Sequence, residues 1–360
     1  MTKNKTLKKG AFFTDIHFGK KSNSKSHNED CINFIKWFCE KVAADPEIDY
    51  VGFLGDWNEN RSSLNIATLN YSYQGAKLLN ELNVPVYFVI GNHDLYHRHT
   101  REIHSIVPFA EFDNFIIIDQ PRIVEEIERK ALFSPFLFHD EYADMVEYLN
   151  IPFWAGHFEF KGFLVTGYGI RMPTGPNPKD FKGPRHIISG HFHKRQIAKN
   201  IIYMGNCFPM DFGDAGDTER GMMTYDHVAQ KYEFTDWLDC PKYISIDLTS
   251  LLNGDVKIHP NSRIKCVVDV PISYEESTLV REKYTEKYDL REFTMEESAE
   301  IQAAMSETET EMDWEETEWV STDELVLRML GDIDTPHIDN DMLVNIYTKL
   351  KSSELAPDKN

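Results

Sequence analysis

The stretch Pro85-Val86-Tyr87-Phe88-Val89-Ile90-Gly91-Asn92-His93-Asp94 runs from apolar to polar within ten residues. Its first half is a β-branched and aromatic run opened by Pro and closed by Gly, which reads as a buried strand. Its second half is a turn of side chains able to bind a cation or move a proton. The same construction occurs twice upstream. Residues 10–14 lead into Asp15-Ile16-His17, and residues 50–54 into Gly55-Asp56. Between these runs lie segments with helical period. Residues 29–44 place Ile32, Ile35, Phe38, Cys39 and Val42 on one side, and Ser26 with Glu29 has capping-box spacing. Residues 63–82 form the second, with Pro85 closing the linker. The β-α-β-α-β order predicts an α/β fold with a doubly wound sheet, whose chemistry sits at the carboxyl ends of the strands.

Further strands are expected near 115–118, 131–133, 153–155, 186–189, 201–204, 222–225 and 232–234. The loop 172–184, rich in Pro, Gly and Lys, reads as exposed and substrate-facing. After Pro241 the pattern restarts, with strands at 243–248 and 263–270, a helix at 273–288 and a strand at 290–294. The expected organisation is a catalytic domain over 1–240, a small α/β domain over 241–296, an acidic linker over 297–320 and a helical tail over 321–360. The tail offers amphipathic helices at 322–330 and 340–350.

The chain has 360 residues, 41% hydrophobic, and a formal net charge of −21. That charge argues against coating nucleic acid non-specifically. It is uneven: residues 292–318 hold 11 acidic side chains and no basic one. No apolar run is long enough for a membrane helix, and the basic N-terminus precedes no signal-like apolar segment. The five cysteines are scattered, without a CxxC pair. This suits a reducing cytoplasm.

Two more motifs follow the first three, Gly156-His157 and Gly190-His191-Phe192-His193. In extended backbone, residues i and i+2 share a face. Asp15 with His17, and His191 with His193, can then aim at common points. Carboxylate, imidazole and amide oxygen together suit manganese, iron or zinc better than calcium. A lone Asp between two ions can bridge them at about 3.5–4 Å. Singly, each motif is weak: an Asp-x-His is commonly chance, a His beside Gly is commonly structural, and GNHD can be only a turn. Five in fixed order, each after an expected strand, form a far stronger signal.

This set resembles the calcineurin-like metallophosphoesterase superfamily. The resemblance implies a four-layer sandwich of two β-sheets flanked by helices. It implies that Asp15, His17, Asp56 and His193 hold one metal, and that Asp56, Asn92, His157 and His191 hold a second, with Asp56 bridging. His93 would donate a proton to the leaving oxygen, and Asp94 would hold His93 by a hydrogen bond. The two ions would polarise the phosphate and activate water for in-line attack.

Protein Ser/Thr phosphatases carry GDxxDRG and GNHE; here the second motif is Gly55-Asp56-Trp57-Asn58-Glu59-Asn60-Arg61 and the third ends in Asp94. A later stretch, Tyr203 to Gly221, is similar to YxGS…F-x-E…KG of the SbcD nuclease family. Asn206 stands for Ser, Asp214 for Glu and Arg220 for Lys. That likeness implies a DNA exonuclease/endonuclease subunit of recombination and repair. It also implies a homodimer, a small capping domain, and a C-terminal segment that docks on an SbcC-type coiled-coil ATPase. The short loops and acidic segment look like the tailed-phage version, the recombination endonuclease subunit, which implies the host cytoplasm as its place of action. Two other readings stay open: a small-molecule phosphodiesterase of the same fold, and a DNA-end scaffold with vestigial chemistry. Trp57 could shield the metals, stack on a base or simply pack. Lys179, Lys182, Arg185, Lys194 and Arg195 are the local candidates for phosphate contacts, against an ordinary role in solubility. His97 and His99 follow the third motif closely and read as a solvated loop pair or as lining of the cleft.

Overall fold

The computed structural model describes residues 6–165 and 169–298, together with Met342 and Tyr347. Apart from those two residues, the expected tail helices, and the acidic linker beyond residue 298, lie outside the described residues.

The strands are, in chain order, β1 (Lys9–Phe13), β2 (Tyr50–Phe53), β3 (Val86–Val89), β4 (Phe115–Ile118), β5 (Arg122–Val124), β6 (Ala131–Ser134), β7 (Phe153–Gly156), β8 (His186–Ser189), β9 (Gln196–Ala198), β10 (Ile201–Tyr203), β11 (Gly221–Asp226), β12 (Lys231–Asp236), β13 (Tyr243–Asp247), β14 (Arg263–Val268) and β15 (Glu292–Glu297). The first sheet has the order β12-β11-β1-β2-β3-β4 and the second β5-β6-β7-β8-β10-β9. β1 to β4 are parallel, as are β6, β7, β8 and β10, while β11, β12, β5 and β9 add antiparallel edges. The fold is therefore the expected α/β sandwich of two sheets.

Alternation along the strands builds its layers. Phe12, Tyr50, Tyr87, Phe133, Phe153 and Ile188 meet between the two sheets. Phe13, Phe53 and Phe88 point the other way, against helices α1 (Lys25–Ala44) and α2 (Ile66–Asn80). On the far face of the second sheet, Leu132, Trp154 and Ile187 pack under a 3-10 helix, His139–Tyr148. Phe13 touches the rings of Phe34, Phe38 and Phe53 at 4.6–5.6 Å. Truncating such a ring to Ala costs about 3–5 kcal/mol.

α1 begins a turn earlier than its apolar period suggests. Ser24, not Ser26, caps it by accepting the His27 N–H. After it leaves the first sheet, the chain forms a third, parallel sheet β13-β14-β15 with helices α3 (Leu248–Asn253) and α4 (Tyr274–Tyr288). β15 runs three residues past the strand expected at 290–294. The start of the acidic run is thus a paired strand, its charge met across the sheet: Lys265 Nζ lies 2.5 Å from Glu296 and Arg263 Nε 3.6 Å from Glu292. No helix among the described residues is long and apolar enough to cross a membrane.

Candidate metal centre

The loops after β1, β2, β3, β7 and β8 meet at one end of the two sheets and carry every residue singled out by the five motifs. The loop after β1 is not extended, contrary to the i, i+2 reading. Asp15 and His17 both have left-handed backbones, φ 53° and 52°, as do Asp56 (62°) and His191 (87°). Such conformations are disfavoured for side-chain-bearing residues and collect at functional sites. Here the neighbouring loop imposes them: Asp15 N–H donates to Gly55 O at 3.0 Å, His17 N–H to Asp56 O at 3.1 Å and Phe18 N–H to Trp57 O at 2.8 Å. The Asp15 and His17 side chains converge by this route instead.

Two clusters share one carboxylate. In the first, His17 Nε2 lies 3.1 Å from His193 Nε2, 3.9 Å from Asp15 Oδ1 and 3.8 Å from Asp56 Oδ2. In the second, His157 Nε2 lies 3.4 Å from Asp56 Oδ2 and 3.0 Å from Asn92 Oδ1, and His191 Nδ1 lies 2.9 Å from Asn92 Oδ1. Asp56 Oδ2 faces both. The backbone N–H of His191 donates to both oxygens of Asp15 at 3.1 Å and joins the clusters.

This donor set fits divalent transition ions. The ligating atoms of Asp15, His17 and His193 lie within 4.8 Å of one another, as do those of Asp56, His157 and His191. Ligands about 2.0–2.2 Å from a shared centre have such separations. Asp15, His17, Asp56 and His157 are fully buried, so uncompensated carboxylates there are costly. His157 Nδ1 sits 2.7 Å from Leu54 O, which leaves Nε2 to face Asp56. Burial opposes the imidazolium, but Asp56 prevails and raises the His157 pKa to about 9. A proton there takes up the place between imidazole and carboxylate that a cation suits. Burial raises the Asp15 carboxyl. It would raise Asp56 too, but His157, His17 and His93 hold that carboxyl well below the usual range.

His93 borders the clusters, about one-third exposed. The expected bond from Asp94 to it is absent, because its Nδ1 lies 2.9 Å from Glu59 O. Asp94 points inward. Its two oxygens accept the backbone N–H groups of Asp56, Trp57, Asn58 and Gly91 at 2.9–3.1 Å. Burial and the Asp56 charge push its carboxyl up to about 7 while those amides pull the other way. Asp94 therefore holds the Asp56 loop in place.

Two glutamates that the motifs left out back the imidazoles. Glu59 Oε2 lies 2.7 Å from His17 Nδ1, although the ring N–H is poorly aligned with it. Glu159 Oε2 lies 3.1 Å from His191 Nε2. Each follows an expected ligand closely, Asp56 by three residues and His157 by two, and that spacing was the signal available. Trp57 packs: it is fully buried among Phe13, Phe53, Phe88 and Phe109, with Nε1–H on Ser72 Oγ at 2.8 Å. Arg195 pairs with Asp236 at 2.8 Å and covers the Phe234 ring, so it is committed within the fold. Lys179, Lys182 and Arg185 are exposed, as are His97 and His99. Arg220 is fully buried. It donates to Asn206 Oδ1 at 2.5 Å and meets Asp214 at 3.3 Å, while Asn206 N–H donates to His193 O at 3.1 Å. The stretch from Tyr203 to Gly221 thus braces the loop of His193.

Residues 9–195 match the family described as Calcineurin-like phosphoesterase. Exonuclease subunit 1 of Enterobacteria phage T4 is 23% identical over 255 residues, spanning 68% of this chain and 74% of that protein. Among solved structures, a Pseudomonas putida nuclease MPE shares 14% identity with a TM-score of 0.28, covering 61% of this chain and 84% of its own. A protein of unknown function from Aquifex aeolicus shares 17% identity with the same TM-score, covering 53% and 82%. With its match extending over half its length and both clusters at the sheet ends, the chain belongs to the calcineurin-like phosphoesterase family.

Proposed function

We propose that this chain is a two-metal DNA exonuclease/endonuclease subunit that works with an SbcC-type ATPase in recombination and repair. The observation that carries the reading is the shared Asp56 carboxylate, 3.4 Å from His157 on one side and 3.8 Å from His17 on the other. Asp15, His17, Asp56 and His193 would hold one divalent ion and Asp56, Asn92, His157 and His191 the other. Manganese suits this mixed set best, with iron or zinc as alternatives. When bound, the ions supply Lewis-acid polarisation of the phosphate and an activated water.

The chain's own residues supply the rest. His93 has Nδ1 committed to Glu59 O and Nε2 left to serve the leaving oxygen. Burial keeps His93 on the neutral side in the free protein. A phosphodiester's negative charge beside it favours the imidazolium, which is the form that can give a proton. Asp94 fixes the Asp56 loop beneath it. DNA as substrate is supported by the likeness to a phage exonuclease subunit and by the SbcD-like stretch from Tyr203 to Gly221. We assign residues 1–240 to catalysis, 241–296 to a capping domain, 297–320 to a linker and 321–360 to partner docking, with the enzyme a homodimer in the cytoplasm.

The test is cleavage of linear DNA by the purified chain with manganese, alone and with an SbcC-type partner. Nucleolytic degradation that His93→Ala abolishes supports the reading. Turnover of bis(p-nitrophenyl) phosphate with no action on DNA favours the small-molecule phosphodiesterase. Absence of bound metal and of any hydrolysis favours the scaffold.

A further inference from the structure

We propose that Glu159 is a positioning residue that selects the tautomer of His191, so that one ion position depends on a carboxylate lying outside it. This rests on the proposed reading of His191 as a metal ligand. The two nitrogens of His191 face opposite ways. Nδ1 lies 2.9 Å from Asn92 Oδ1, inside the second cluster, and Nε2 lies 3.1 Å from Glu159 Oε2, outside it. Both partners are acceptors and a neutral ring has a single N–H. The charged carboxylate is the stronger acceptor and takes it at Nε2, which leaves the Nδ1 lone pair for the ion that Asn92 Oδ1 also faces. His157, in the same cluster, is set the other way round, with Nδ1–H given to Leu54 O and Nε2 turned inward. The two imidazoles therefore use different nitrogens, each fixed by the acceptor behind it. A backbone carbonyl serves His157 and survives any substitution, whereas His191 depends on a replaceable side chain.

Glu159 is held for this task. Its backbone N–H donates to the Tyr142 hydroxyl at 2.8 Å. Its neighbours Phe158 and Phe160 are fully buried, and the Tyr203 hydroxyl bonds both of their backbones at 3.0 Å. On the other side, the Phe136 ring lies 5.6 Å from His191 and limits its rotation. An acceptor of this kind, behind a ligating imidazole, is typically worth about 10–100-fold in metal affinity.

The experiment is calorimetric titration of manganese into the full-length metal-free protein, as wild type, Glu159→Ala, Glu159→Gln, His191→Ala and the Glu159→Ala/His191→Ala double variant. It is paired with long-range 15N correlation spectra of histidine-labelled, metal-free protein. The wild type takes two ions. Glu159→Ala weakens one of them by about 10–100-fold and leaves the other within about twofold. Glu159→Gln keeps most of the affinity, because its amide oxygen still accepts Nε2–H. In the His191→Ala background, removing Glu159 has no further effect. The spectra show a single Nε2–H tautomer for His191 that becomes a mixture in Glu159→Ala. Two ions bound normally by Glu159→Ala, or an equal loss in the His191→Ala background, overturns this inference alone. Fewer than two ions on the wild type overturns the metal centre itself, and this inference with it.

Discussion

The carboxylate of Asp94 accepts the backbone N–H of Asp56 at 3.0 Å. The last residue of one motif thereby holds the loop that presents the central carboxylate of another. The same side chain receives the amides of Trp57, Asn58 and Gly91. Asp94→Ala leaves four buried donors without an acceptor, and we expect a loss of about 3–5 kcal/mol. Asp94→Asn keeps one accepting oxygen and loses less, roughly 1–3 kcal/mol. Urea unfolding of metal-free protein measures both. A loss below about 1 kcal/mol in Asp94→Ala would show that the loop does not need this clamp.

Much of the site was legible because its residues sit at strand ends, where a buried apolar run stops and a polar turn begins. Val86–Val89 followed by Gly91 to Asp94 displays this in a single stretch. What the sequence hid depends on packing between distant segments. Whether Asp94 faces His93 or the amides of the Asp56 loop is settled by the approach of two loops 38 positions apart. The left-handed turns at Asp15 and His17 are imposed by hydrogen bonds to Gly55 and Asp56, which no local pattern encodes. Trp57 has the composition of a site residue, and only the ring cluster around it shows that it packs. Glu59 and Glu159 offered only their closeness to Asp56 and His157 in sequence, a weak signal because a Glu beside a ligand looks like any surface charge.

Binding and proton transfer should separate cleanly. Manganese at about 100 times its dissociation constant stabilises the fold by about 2.7 kcal/mol per ion. Asp56→Asn, at the shared carboxylate, should lose most of that gain for both ions. His93→Ala should keep the full gain while hydrolysis falls by about 10²–10⁴-fold. Melting curves with and without manganese, beside a cleavage assay, give both readouts. Loss of the metal-induced shift in His93→Ala would place that ring among the ligands instead.

Gly190 stands where the second sheet approaches the Asp15 loop. A Cβ at this position would lie 2.7 Å from Asp15 Oδ2 and 2.7 Å from Leu54 O, and would press on the Thr14 hydroxyl. Its own φ lies outside the left-handed region, so crowding and not backbone strain sets the cost. Gly190→Ala should therefore displace Asp15 and weaken the ion that Asp15, His17 and His193 would share. Overpacking of this kind costs about 1–3 kcal/mol in stability. Calorimetric titration should show one weakened ion. Two ions of unchanged affinity would mean that the Asp15 loop yields freely.

Acid sensitivity should come partly from far outside the site. His227 is buried between the sheets, with Nε2 2.6 Å from the Tyr50 hydroxyl and the Phe153 ring 4.7 Å away. Burial lowers its pKa to about 3, so the folded protein holds it neutral. The unfolded chain takes up a proton near the ordinary histidine value of about 6.5. Its contribution to stability is thus fully present above that pH, and falls by about 1.4 kcal/mol per unit as the pH drops towards 3. Between pH 6.5 and pH 5, His227 alone should remove about 1.6 kcal/mol. His227→Gln, which can still meet the Tyr50 hydroxyl, should unfold at a urea midpoint that depends less on pH over this range, even if it is lower at pH 7.5. Equal slopes for wild type and variant would mean that His227 is already protonated in the folded state, or that the Tyr50 pocket admits water.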